Sequence, residues 1–182
     1  MGIMFDQLLA TVTSRTYLGQ VTALDLAELR ARRSECQHVE ETLSYLRRVV
    51  QGELDIVVGE LERRRSGGDR DDLSDLVARL PQLLSSRVAT GTGGRFTNPS
   101  APDDDTGSLG HELNVLMSTH DLNELPERSD DQLRIAAAEL GGFEAKLSTV
   151  RRQLHDRIDE MQAELVRRYR TGEATVDKLL HD

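Results

Sequence analysis

The sequence predicts an all-α fold: a long antiparallel two-helix coiled-coil hairpin, with short accessory helices and a disordered linker between its arms. Three observations point there. Long proline-free stretches are rich in Leu, Glu, Arg and Ala, and charged residues make up 30% of the chain, a composition of exposed helices. Aromatics are only 3% and Trp is absent, which disfavours a globule built on an aromatic core. An apolar seam with spacings 4, 3, 4, 4, 3, 4 also occurs twice, 104 residues apart. The 182 residues amount to one domain.

Residues 1–21 show weak periodicity and read as a frayed, peripheral segment. Residues 22–66 read as the first long helix. Asp25-Leu-Ala-Glu28 has the form of a capping box, and no proline follows before Ser66-Gly67-Gly68 stops the helix. Arg63, Arg64 and Arg65 just before the stop suit its negative end. Residues 67–128 read as a connecting segment. Within it, Leu73, Leu76, Val77, Leu80, Leu83 and Leu84 predict a short amphipathic helix over about 71–86, which Pro81 would kink or split. Residues 87–108, rich in Gly, Pro and Asp, predict a flexible linker. Leu113, Leu116 and Met117 then predict another short helix, ended by Pro126. A second capping box, Ser129-Asp-Asp-Gln132, opens the other long helix over 129–171, and Thr171-Gly172 closes it. Residues 172–182 read as a tail.

The first seam is Val39, Leu43, Leu46, Val50, Leu54, Val57 and Leu61; the second is Phe143, Leu147, Val150, Leu154, Ile158, Met161 and Leu165. Each carries a polar stripe at its edge. Glu40, Ser44, Arg47, Gln51 and Asp55 follow the pattern E-x3-S-x2-R-x3-Q-x3-D. Glu144, Ser148, Arg151, His155 and Asp159 repeat it, with His in place of Gln. At 100° per residue the five side chains span a stripe roughly 80° wide and roughly 22 Å long. A parallel pair would put the two stripes on opposite faces. An antiparallel pair puts both on one face, as a pseudo-two-fold platform. Aligning Glu40 with Asp159 brings Arg65 close to Leu133, which fits a hairpin.

The residue types suit a guanine nucleotide. A carboxylate matches the N1–H and N2–H donors of guanine, and an arginine fork matches phosphate or guanine O6/N7. Helix-flank salt bridges use the same types, so chemistry alone leaves a structural coiled coil or a different adaptor open. The net charge of −9 disfavours direct nucleic-acid binding and is compatible with a basic protein partner. No run approaches a membrane span, and the N-terminal stretch lacks the pattern of a signal peptide, so a cytoplasmic location is expected. The single Cys36 lies near the start of the first seam and reads as core. His155 and Asp159 lack an evident third ligand, so no metal is expected. There is no nucleophile–base pair or phosphate loop, and the chain does not read as an enzyme.

At these ten residues the sequence resembles the RsiG family of actinobacterial anti-sigma factors. That family's signature is the same five-residue pattern, once on each helix of an antiparallel hairpin. Nine of the ten positions match, and His155 departs. The resemblance covers roughly residues 22–65 and 125–170. It implies that two molecules of cyclic di-GMP bind, one per motif. It also implies that the loaded form sequesters WhiG, a sigma factor of the flagellar and sporulation class, as a 1:1 heterodimer.

Overall fold

In the computed structural model, residues 2–67 and 106–173 are described. The predicted short helix at 71–86 and most of the predicted linker lie outside them. Among the described residues the structure is all helical. The order is α1 (Gly2–Thr13), a 3-10 turn (Val21–Ala23), α2 (Leu26–Arg65), α3 (Gly107–Thr119), a second 3-10 turn (Leu122–Glu124) and α4 (Asp130–Thr171).

Both long helices start where their caps place them. The Glu28 amide donates to Asp25 Oδ1 at 2.7 Å and the Asp25 amide to Glu28 Oε2 at 3.2 Å. Ser129 and Gln132 make the same reciprocal pair at the start of α4. At its other end, α4 stops at Gly172, whose φ of 75° is left-handed and costs a glycine nothing. With 40 and 42 residues, the helices are about 60 Å long. Helices of this length persist through packing rather than propensity.

They pack antiparallel. Arg30 near the start of α2 bonds Tyr169 near the end of α4, and Arg64 at the end of α2 reaches Asp130 at the start of α4. Every residue of both predicted seams lies in the core or against it. Leu43, Val50, Leu147 and Leu154 have no exposed surface, and Cys36 is equally buried, which pushes its thiol pKa up.

The structure corrects four expectations. First, residues 1–21 do not fray as a unit: Phe5 and Val12 of α1 are buried in the core. Arg157 of α4 holds the end of α1 by donating to the carbonyls of Val12, Thr13 and Ser14. Weak periodicity is what a short helix shows when several helices bury it, here α2, α3 and α4. Second, residues 107 and 108 belong to α3 rather than to the linker. Asp6 stabilises that helix start by accepting from the Ser108 amide at 3.0 Å. Third, Arg63 and Arg64 do not simply face the helix end. Both fold back onto the buried Glu60. Fourth, Glu40 does not sit opposite Asp159. It meets Arg151 and His155, one to two turns away.

Helices α1 and α3 occupy the back of the hairpin. Their links to α4 run through Glu139, Lys146 and Arg157. At 100° per residue these three share one line of α4, and the second motif lies roughly 120–200° away from it. Tyr45, next to Ser44, is partly buried and packs against the core. Helices α1 and α3 thereby leave the motif face uncovered.

If α1 is a packed element, Phe5→Ala should destabilise the protein by about 3–5 kcal/mol in urea unfolding, as Leu43→Ala should by about 2–5 kcal/mol. A near-zero effect of Phe5→Ala would mean that α1 is peripheral after all.

Candidate functional site

The two polar stripes meet across the hairpin and form two equivalent clusters. In the first, Glu40 Oε1 accepts from Ser44 Oγ at 2.6 Å on its own helix. It also accepts from Arg151 Nη2 at 2.8 Å and Nε at 3.0 Å across the interface. His155 Nε2 stands 3.3 Å from the same oxygen. In the second cluster, Glu144 Oε1 accepts from Ser148 Oγ at 2.9 Å on its own helix, and from Arg47 Nε at 2.7 Å and Gln51 Nε2 at 3.0 Å across the interface. Arg47 Nε also reaches Ser148 Oγ at 2.9 Å.

The pseudo-two-fold is thus present in the bonds themselves. Each cluster takes Glu and Ser from one motif and Arg plus Gln or His from the other. His155 stands where Gln51 stands in the partner cluster. Asp159 is exposed, and Asp55 is half-buried on the same stripe. Eight of the ten predicted residues are gathered by these bonds, while the two aspartates mark the far ends of the stripes.

Position explains the electrostatics. Side-chain exposure runs from 17% for Glu40 to 32% for Arg47 in the crossing pairs, so the pairs are only partly screened by water. Burial alone would raise the Glu40 carboxyl, but the Ser44 hydroxyl and the Arg151 guanidinium outweigh it and hold the group below its ordinary value. Glu144 is likewise pushed up by burial and pulled further down by Ser148, Arg47 and Gln51. Both carboxylates stay ionised at neutral pH. In each, the bonds converge on Oε1, and Oε2 accepts none among the described residues. A half-exposed carboxylate edge therefore stands beside a half-exposed guanidinium, twice, on one face.

A family model described as RsiG-like matches residues 15–84 and 119–181, well over half of the chain. The chain belongs to the RsiG-like family. The matched spans contain both motifs and both long helices. Membership makes the protein an RsiG-family anti-sigma factor, a regulatory rather than catalytic kind of protein whose partner is a sigma factor. No curated protein matches the chain. Among the described residues, no helix is long and apolar enough to cross a membrane.

Reading the motif as two parallel stripes missed its reciprocity: that Arg47 belongs with Glu144 and Arg151 with Glu40. The signal lay in residue type, since each stripe offers an acid one turn before a hydroxyl and a base one turn after it. Only a known register turns that signal into pairs.

The pH dependence follows from the sign of the shifts. Glu40 and Glu144 have folded values below the ordinary 4.5. Their contribution is fully present above that value and is lost as pH falls through the lowered ones. The urea midpoint should hold steady down to about pH 5 and then fall. The Glu40→Gln/Glu144→Gln variant should be less stable at neutral pH and should show a shallower acid slope. An unchanged slope would mean that the crossing pairs add nothing to the fold.

Proposed function

We propose that this RsiG-like protein is a cyclic di-GMP-responsive anti-sigma factor. Two molecules of the nucleotide bind, one per motif, each motif assisted by the facing helix. In the loaded form the protein holds a WhiG-type sigma factor of the sporulation and flagellar class away from RNA polymerase as a 1:1 heterodimer. When the nucleotide falls, the sigma factor is released.

One observation carries this reading: the same carboxylate–guanidinium pair is presented twice, symmetrically, on the face that α1 and α3 leave open. Guanine offers two adjacent donors, N1–H and N2–H, to a carboxylate. Its O6 and N7, or a phosphate, offer paired acceptors to an arginine fork. A cyclic dinucleotide carries two guanines and two phosphates, so it can use both members of the pair. In the free protein each carboxylate already engages the facing arginine through one of its oxygens. A ligand must therefore match that pairing, which favours a partner rich in both donors and acceptors. Bound nucleotide would complete a surface that neither protein presents alone. Linkage then makes the effect reciprocal, so the sigma factor tightens nucleotide binding by the factor that nucleotide tightens sigma binding.

The second reading is a coiled-coil scaffold in which the crossing pairs serve only as interhelical salt bridges, and their mutual engagement favours it. Equilibrium dialysis with labelled cyclic di-GMP, with and without a WhiG-type sigma factor, separates the two. Retention of two nucleotides per complex is expected, and no binding under either condition would leave only the scaffold. Arg47→Ala and Arg151→Ala should each weaken nucleotide-dependent sigma capture by roughly 10- to 100-fold, the size of a lost charge-assisted hydrogen bond of about 1.5–3 kcal/mol. Circular dichroism should show nearly unchanged helicity. A large loss of helicity in either variant would assign these arginines to the scaffold instead.

A further inference from the structure

The 104-residue repeat runs past the ligand motif. Glu60, Arg63 and Arg64 recur as Glu164, Arg167 and Arg168. At the end of α2, Glu60 has no exposed surface, and Arg64 Nε donates to its Oε1 at 2.5 Å. The guanidinium then crosses to the other arm. Its Nη1 donates to the Arg128 carbonyl and its Nη2 to the Leu125 carbonyl, both at 2.6 Å. Those carbonyls lie in the turn that leads into Ser129, the N-cap of α4. At the end of α4, Arg168 Nε donates to Glu164 Oε1 at 2.7 Å. Its Nη1 donates to the Leu24 carbonyl at 2.8 Å and its Nη2 to the Thr22 carbonyl at 3.1 Å. Those carbonyls lead into Asp25, the N-cap of α2. Each helix holds the start of the other.

Buried ion pairs of this kind are weak sources of stability, because desolvation offsets their attraction. Register is a better account of them. A seam of Leu and Val repeated every few residues is degenerate: sliding one arm by one or two turns pairs apolar side chains with apolar side chains again. Matching the two seams end to end would put Glu40 level with Glu164, and matching the two motifs would put it level with Asp159, yet the structure sets it against Arg151 and His155. The carbonyls that receive Arg64 and Arg168 are not repeated along the arms. Inside a helix, carbonyls are occupied by the amide four residues on, so beside the start of the facing helix the free ones are those of the turn before its N-cap. One axial position satisfies both forks. Buried polar groups set register in coiled coils in the same way, at some cost in stability.

We propose that Arg64 and Arg168, each backed by its buried glutamate, are positioning residues that set the axial register of the hairpin and so assemble the two clusters. The consequence for ligand binding rests on the cyclic di-GMP reading; the register itself does not.

The test uses the full chain with Cys36→Ala and spin labels at Arg48→Cys and Gln162→Cys, both exposed positions. Distances are compared with and without Glu60→Leu/Arg64→Met/Glu164→Leu/Arg168→Met. The parent should give one narrow distance distribution. The apolar variant should remain helical while its distribution broadens or moves by about one turn, roughly 5 Å. Nucleotide retention in the presence of the sigma factor should fall at least tenfold. A narrow, unmoved distribution in the helical variant overturns the proposal, whatever the nucleotide does. A parent that retains no nucleotide sinks the ligand reading alone and leaves the distances to decide the register. Where the apolar variant does not fold, Arg64→Lys with Arg168→Lys replaces it. An ammonium lacks the planar fork that holds the glutamate and two carbonyls at once, so the distribution should again broaden, and an unmoved one overturns the proposal.

Discussion

Two helices of about forty residues pair along a seam of Leu and Val, and the motif face depends on where along their common axis they come to rest. A slip of one turn moves a side chain by about 5.4 Å, more than any hydrogen bond tolerates. Glu40 would then lose Arg151, and Glu144 would lose Arg47. Apolar contact is non-directional and resists such a slip only weakly. The crossing ion pairs and the guanidinium forks at both ends are directional, and they define one alignment out of several that the seam accepts.

The same residues that define the alignment form the candidate binding face. Arg47, Glu144, Arg151 and Glu40 are half-buried, which strengthens their attraction while leaving an edge of each pair toward solvent. In each glutamate one oxygen gathers the bonds, and the other takes none among the described residues. A face of this kind is preorganised and not saturated. Helices α1 and α3 contribute by where they are not. Arg157, Lys146 and Glu139 anchor them to the far side of α4, so they thicken the core without covering the clusters.

Much of this was legible from local patterns. The capping boxes at Asp25 and Ser129 involve residues three apart, so sequence shows them directly. The seams and stripes follow from helical period, and all fourteen seam positions are in or against the core. Helix α1 was not legible in the same way. Phe5 and Val12 are buried by the hairpin, and a twelve-residue helix carries too few turns to display the face that a distant element will cover. Arg63 and Arg64 resemble cations at a helix end until Glu60, itself without exposed surface, gives them a buried partner.

By itself, then, the sequence determined the two long helices, their caps, the two apolar seams and the ten polar residues in two matched stripes, because each is set by neighbours within a few turns. Tertiary structure decided the axial register, and with it that Glu40 meets Arg151 and Glu144 meets Arg47. It also decided that α1 is packed. The physical reason is that a repeating apolar seam looks the same after a slip of one or two turns. Only directional groups meeting across the interface distinguish one alignment from the next.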